Sequence, residues 1–161
     1  MNTVLSINLI KIRWLAIIGQ LSTLLVVFFI FEFSIPFKEC VIVVFLSILI
    51  NIFSSYILRG VPTLSYNKTF IFLIFDITQL IALLYLTGGV FNPFIILILA
   101  PVIISASYLP AFWTILLSIY SILLILFINF NYIPIKWEDK FVTPDIYKTG
   151  ILIALIITII F

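Results

Sequence analysis

Long apolar runs separated by short polar stretches organise this sequence from its first residues to its last. Because a membrane-spanning helix needs roughly 20 apolar residues, each long run predicts one crossing. Glycine, asparagine, serine and proline at residues 88–93 and 105–110 divide the longest run, which carries no charge until Lys136, into two helices. The predicted spans are residues 14–31, 40–58, 69–87, 92–108, 111–129 and 149–161.

The last run, residues 149–161, is only 13 residues long and is too short to cross a bilayer. A helix that stopped inside the hydrocarbon would leave its last carbonyl groups unpaired, so we expect the chain to be truncated within a sixth helix. Residues 131–148, which contain prolines and acids, are the one sizeable loop predicted. The pattern therefore predicts an all-α integral membrane protein, a six-transmembrane-helix bundle that forms one domain over residues 1–161.

Composition supports the membrane class and excludes several others. Of the 161 residues, 65% are hydrophobic and 9% are charged, whereas a soluble domain is about half apolar and a quarter charged. A net charge of +2 without a clustered basic face argues against nucleic-acid binding. With no histidine and a single cysteine, Cys40, we predict no metal site, no catalytic residues and no internal disulfide. Cys40 itself is expected to be a small buried residue.

Positive charges around the first span suggest an orientation and an anchor. Lys11 and Arg13 precede the span and Lys38 follows it, which favours a cytoplasmic N-terminus. The totals of lysine and arginine on the two sides of the membrane are nevertheless equal. Arg13 and Trp14 lie where the span enters the bilayer, and such a basic–aromatic pair is typical of an interfacial anchor. A specific signalling role for the pair is the alternative.

Asp76 is the ionisable residue that lies well inside a predicted span, and such residues usually face the bundle interior and mark function. Gln79 lies one turn away on the same helix face. One interpretation is a structural hydrogen bond between helices, with Gln20 or Asn51 as the partner. Another is coupling between a ligand site and the cytoplasmic side. A small transporter or channel using Asp76 and Gln79 is a third, but no second buried acid and no inverted repeat accompany them.

Residues Gly88–Phe94, Gly-Gly-Val-Phe-Asn-Pro-Phe, form the most specific segment of the chain. Its two glycines permit positive φ and close backbone approach, and Pro93 can open the following helix. A tight helical hairpin explains these residues without any ligand. The functional alternative is an interfacial site for a membrane quinone, in which Asn92 and the glycine amides donate hydrogen bonds and Phe94 offers an apolar surface. A purely structural membrane anchor would not need this combination.

The segment resembles the GGxxNPF heptapeptide of RegB/PrrB-type and ActS-type sensor histidine kinases. The surrounding residues match in order and spacing, namely Asp76–Leu80, Leu84–Thr87 and Ala100–Ala106, together with Arg13–Ala16 and Gly19–Gln20 in the first span. The resemblance implies a six-helix membrane sensor followed by a cytoplasmic dimerisation domain with a phosphorylatable histidine and by an ATP-binding domain. Neither kinase domain is present in this chain, which we therefore expect to be non-catalytic.

The resemblance also implies a ligand, partners and a location. The sensed ligand would be ubiquinone or another membrane quinone, and ATP would bind only to the missing kinase part. The chain would lie in the bacterial inner membrane as a multi-pass homodimer, surrounded by lipid, and would act on a response regulator. The residues implied for quinone binding are Gly88, Gly89, Asn92, Pro93 and Phe94, and those expected to couple the site to the kinase are Asp76, Gln79 and Gln20.

Overall fold

The computed structural model describes residues 6–134 and Gly150, and within those residues the chain is helical. The α-helices are α1 (Ser6–Leu25), α2 (Phe37–Ile57), α3 (Tyr66–Leu86), α4 (Leu99–Tyr108) and α5 (Ala111–Phe130). A π-helical turn, Val26–Ile30, extends α1, and 3₁₀ turns at Gly89–Phe91 and Pro93–Ile98 connect α3 to α4. Helices suit an apolar chain in lipid because each backbone N–H and C=O must find its partner within the chain.

Four helices in the described part are long and apolar enough to cross a membrane, namely Ser6–Ile30, Phe37–Ile57, Tyr66–Leu86 and Ala111–Phe130. The all-helical membrane prediction is thereby confirmed for these residues. The predicted count of six spans is not supported. The fourth predicted span is shorter than a crossing, because six residues of 3₁₀ helix precede the ten residues of α4. The sixth, residues 149–161, lies outside the described residues except for Gly150, as does most of the predicted loop.

The first three helices begin earlier than the charge pattern predicted. The first begins at Ser6 rather than residue 14, so Lys11 and Arg13 lie within α1. Lysine and arginine are good helix formers, so a charged residue of this kind does not mark the end of a helix. Ser6 ties the first turn to the loop between α2 and α3, because its backbone N–H and its hydroxyl both donate to Pro62 O, each at 3.2 Å. The helices α1 and α3 therefore start at the same end of the bundle.

The helix α3 is the centre of the described bundle. Of its most apolar 18 residues 44% are buried, against 17% for α1 and α5 and 28% for α2. The helix α2 packs against α1 and α3, whereas α5 packs against α3 and α4. One apolar core joins α3, α4 and α5. A second core joins α1 and α2 to the C-terminal end of α3 and includes Cys40, which is fully buried as expected. The polar residues Asp76 and Gln79 therefore lie on the most buried helix, and the heptapeptide directly follows it.

Candidate functional site

The heptapeptide forms a tight turn at the end of α3. Gly88 and Gly89 adopt left-handed backbone conformations, with φ of 100° and 62°, which glycine adopts without a steric cost. Phe91 N–H donates to Gly88 O at 3.2 Å, and Asn92 N–H donates to Gly89 O at 3.1 Å. Pro93 then occupies the first position of the next helical segment, as its fixed φ and missing N–H favour. The local prediction of two permissive glycines and a helix-opening proline is thus confirmed.

The side chain of Asn92 closes the turn on itself. Its Oδ1 accepts a hydrogen bond from Phe94 N–H at 2.9 Å, which makes it the N-cap of the following helical segment. Its Nδ2 donates to Thr87 O at 3.0 Å and to Thr87 Oγ1 at 2.8 Å. Both amide N–H groups are therefore used within the turn. The predicted donation from Asn92 to a ligand carbonyl would require Asn92 to release Thr87.

The turn packs closely against the end of α5. A Cβ added to Gly89 would lie 2.7 Å from Tyr132 Cβ and Cγ and 3.0 Å from Ile128 O, distances that only a glycine tolerates. Ile133 N–H donates to Tyr85 O at 2.8 Å and holds the segment after α5 against the last turn of α3. Gly89 is therefore required for close approach as well as for its positive φ.

The two phenylalanines of the turn, Phe91 and Phe94, differ in exposure. Phe91 is 65% exposed, and its ring meets that of Tyr132 edge to face at 5.8 Å between centroids. Phe94 is half-buried and packs against the core of α3, α4 and α5. Pro93 contacts Gly150 so closely that an added Cβ there would lie 2.9 Å from Pro93 Cγ. The five residues implied for quinone binding thus lie together at this turn. Phe94, one of the five, packs into the core, whereas Phe91, which is not one of them, is exposed.

An ion pair links α1 to α3 inside the bundle. Arg13 Nε donates to Asp76 Oδ1 at 2.9 Å, and the two side chains are 5% and 24% exposed. The guanidinium carbon also lies 5.1 Å and 5.4 Å from the ring centroids of Phe72 and Phe75, which adds cation–π attraction. Asp76 thus bonds to Arg13 and not to the Gln20 or Asn51 considered from sequence. The early start of α1 explains the difference, because it puts Arg13 about two turns inside the helix.

Gln20 and Gln79 form a second polar contact between the same helices. Gln79 Nε2 donates to Gln20 Oε1 at 2.9 Å, and Gln20 Nε2 donates back to Gln79 Oε1 at 3.2 Å. The three residues predicted to couple the site, Asp76, Gln79 and Gln20, therefore lie together, with Arg13 as the added member. Trp14 is half-buried against the core of α1 and α2, and its anchoring role stays a prediction.

A further buried polar side chain in the described part is Asn51, whose Oδ1 has no hydrogen-bond partner among these residues. Asn51 is fully buried, and its Nδ2 donates to Ile10 O at 3.4 Å. Among the described residues no group of three His, Cys, Asp or Glu side chains is placed to hold a metal ion. The heptapeptide turn and the α1–α3 polar contacts are therefore the two candidate regions.

Comparison with known proteins extends over both regions. The chain is 34% identical over 156 residues, 96% of its length, to the sensor histidine kinase RegB of Cereibacter sphaeroides. The predicted resemblance to RegB-type sensor kinases is confirmed. The chain spans 34% of the length of that relative, so the similarity concerns about a third of it. No model of a protein family matches the chain, and no solved structure matches it.

Proposed function

We propose that the chain is the membrane input domain of a sensor histidine kinase that responds to the redox state of a membrane quinone. The similarity to RegB supports the kinase assignment, and the four helices of spanning length support a place in the membrane. The chain has no histidine, so the phosphoacceptor and the ATP site would belong to another part of such a kinase. The proposal includes a bacterial inner-membrane location, a cytoplasmic N-terminus, a sixth span at residues 149–161, a homodimer and a response regulator as partner.

The quinone headgroup is assigned to the heptapeptide turn, and one observation carries this assignment. Gly88 and Gly89 are buried, whereas Phe91, between them and the capping Asn92, exposes 65% of its surface. A turn that holds an aromatic ring outward offers the flat apolar surface that a quinone ring needs. The isoprenoid tail of the ligand would remain in the lipid beside α3 and α5.

The helix α3 connects this turn to the polar contacts with α1. Asp76 precedes Gly88 by 12 residues, or about 18 Å along the helix at 1.5 Å per residue, so Asp76 does not touch a headgroup at the turn. A ligand shifts a conformational equilibrium only if it binds the two arrangements with different affinity. We assign that difference in affinity to the packing of the turn against α4 and α5. We assign the transmission of the resulting conformational change to α3 and its contacts with α1.

A transporter or channel that uses Asp76 and Gln79 has less support. The Asp76 carboxylate accepts a hydrogen bond from Arg13, and the amides of Gln79 and Gln20 bond to each other. These groups therefore satisfy one another within the bundle. Intramembrane residues of a transport pathway typically face a water-filled cavity or a substrate.

The test is equilibrium binding of a ubiquinone with two isoprenoid units to the 161-residue chain in nanodiscs. We expect saturable binding, and we expect Phe91→Ala to raise the Kd at least tenfold, because about 1.4 kcal/mol of apolar contact would be lost. Phe53→Ala is the matched control, since Phe53 on α2 is also 65% exposed and lies on a helix without a heptapeptide.

Two results would contradict the proposal. Uptake that rises linearly with quinone concentration would indicate partitioning into lipid without a site. Equal effects of Phe91→Ala and Phe53→Ala would indicate that any exposed ring contributes in the same way. Circular dichroism of both variants checks that they retain the helical fold.

A further inference from the structure

The Asn92 amide is used within the turn, so a donor other than Asn92 is needed for a quinone carbonyl. Its two N–H groups donate to Thr87 O and Thr87 Oγ1. A quinone has two carbonyl oxygens and no N–H or O–H group, so its polar recognition requires a donor from the protein. A candidate donor must lie beside the exposed face of the turn and must have a free O–H or N–H.

Among the residues that the structure describes, Tyr132 meets these requirements. Its Cβ and Cγ pack against Gly89, and its ring touches the exposed ring of Phe91 at 5.8 Å between centroids. The hydrogen bond from Ile133 N–H to Tyr85 O holds the adjacent backbone against α3. Within residues 6–134 the Tyr132 hydroxyl makes no hydrogen bond, although the side chain is half-buried.

We propose that the Tyr132 hydroxyl donates the hydrogen bond to a carbonyl oxygen of the quinone headgroup while the ring of Phe91 contacts its apolar face. This inference rests on the function proposed above and names a ligand-binding residue outside the heptapeptide. Tyr132 lies 38 residues after Phe94 along the chain, so the short motif alone gives no indication of it.

The chemistry of a phenol fits both redox forms of the ligand. Toward the oxidised quinone, the Tyr132 O–H donates to the carbonyl oxygen. Toward the reduced quinol, the phenol oxygen accepts a hydrogen bond from the quinol hydroxyl. Since Tyr132 packs directly on Gly89, a change of its hydroxyl partner acts on the backbone of the turn.

The decisive variant is Tyr132→Phe, which removes the hydroxyl but keeps the ring and its packing on Gly89. We expect the Kd for the same ubiquinone, measured with the 161-residue chain in nanodiscs, to rise about twofold to tenfold, the range for one net hydrogen bond. Tyr56→Phe is the matched control, because Tyr56 lies in the last turn of α2 and is 75% exposed. That control is expected to leave the Kd unchanged.

Infrared difference spectra give a readout that a purely structural role would not move. In the wild-type chain we expect the carbonyl stretching frequency of the bound oxidised quinone to be lower than that of free quinone, because hydrogen bonding lowers it. In Tyr132→Phe we expect this frequency to return toward that of free quinone. The Tyr56→Phe spectrum should match that of the wild type.

The outcomes separate this inference from the function on which it rests. If the wild type binds saturably, Phe91→Ala weakens binding and Tyr132→Phe changes neither Kd nor spectrum, Tyr132 is overturned as the donor and the quinone site stands. If Tyr132→Phe and Tyr56→Phe weaken binding equally, the effect belongs to interfacial tyrosines in general and the inference also fails. If the wild type shows no saturable binding, the proposed function itself fails.

Discussion

The heptapeptide turn and the polar contacts between α1 and α3 belong to the same central helix, yet different interactions stabilise them. Around the turn, backbone geometry dominates: Gly88 and Gly89 take left-handed conformations, and Asn92 bonds to a residue five positions away. Between α1 and α3, side-chain charge and amide pairing dominate, and the partners are 63 and 59 residues apart. The hydrogen bonds within the first region are local, whereas those of the second join residues far apart in the sequence.

This difference indicates how each region would respond to a ligand. Because the hydrogen bonds within the turn are short-range, its backbone can change conformation without moving whole helices. A buried ion pair resists change more strongly, because separating its members leaves uncompensated charge in an apolar environment. The turn is thus suited to sense a ligand, and the α1–α3 contacts are suited to keep the central helix in a fixed position relative to α1.

The largest effect is expected from breaking the ion pair. Asp76→Leu leaves Arg13, which is 5% exposed, without its counter-charge, and we expect a loss of about 3 kcal/mol in the free energy of unfolding. The double variant Arg13→Met with Asp76→Leu should recover most of that loss, since a neutral apolar pair replaces the charges. The measurement is unfolding by SDS in mixed micelles.

Ile71→Ala is the control for this experiment, because Ile71 lies on the same helix and is 63% exposed. A small effect of the control is expected. If the double variant were as unstable as Asp76→Leu alone, the lost stability would come from packing at these positions, and the contrast with the turn would disappear.

A smaller effect is expected at the turn from Gly89→Ala. The added Cβ would meet Tyr132 at 2.7 Å at a residue with φ of 62°, so conformational strain and overpacking combine to about 2 kcal/mol. Gly60→Ala separates the two causes, because Gly60 has φ of 82° and nothing lies within 4 Å of its added Cβ. We expect Gly60→Ala to cost about half as much in the same unfolding assay. Equal losses in the two variants would show that overpacking against Tyr132 adds nothing to the cost of the conformational strain.

The same contrast explains how much the sequence could predict. Glycine, asparagine and proline carry their conformational preferences with them, so the turn and the helix start at Pro93 were predictable from seven consecutive residues. Asp76, Gln79 and Gln20 were also identified, because polar groups within an apolar run require partners. Their actual pairing was not predictable, since it depends on how two helices about 60 residues apart are aligned.

Two features were not predicted, each for a physical reason. Arg13 was identified from sequence as a candidate anchor, but its pairing with Asp76 was not, because it depends on α1 beginning at Ser6 and on the alignment of α1 with α3. Tyr132 follows α5 and reaches the turn only because α3 and α5 pack together. The signal that would have indicated Arg13 is its opposite charge to Asp76, since these two residues carry charge within helices that start at the same end.

The smallest effect is expected for the pair of glutamines, and it sharpens the comparison within the polar region. A double-mutant cycle of Gln20→Leu and Gln79→Leu should give a coupling energy of about 0.6 kcal/mol, the average for hydrogen bonds between membrane helices. A control cycle of Gln20→Leu with Thr78→Val should give no coupling, because Thr78 bonds to Tyr120 instead. The Arg13–Asp76 cycle should give a larger value than either, because it alone contains charges. If the glutamine coupling equalled that of the ion pair, amide pairing rather than charge would be the main polar link between α1 and α3.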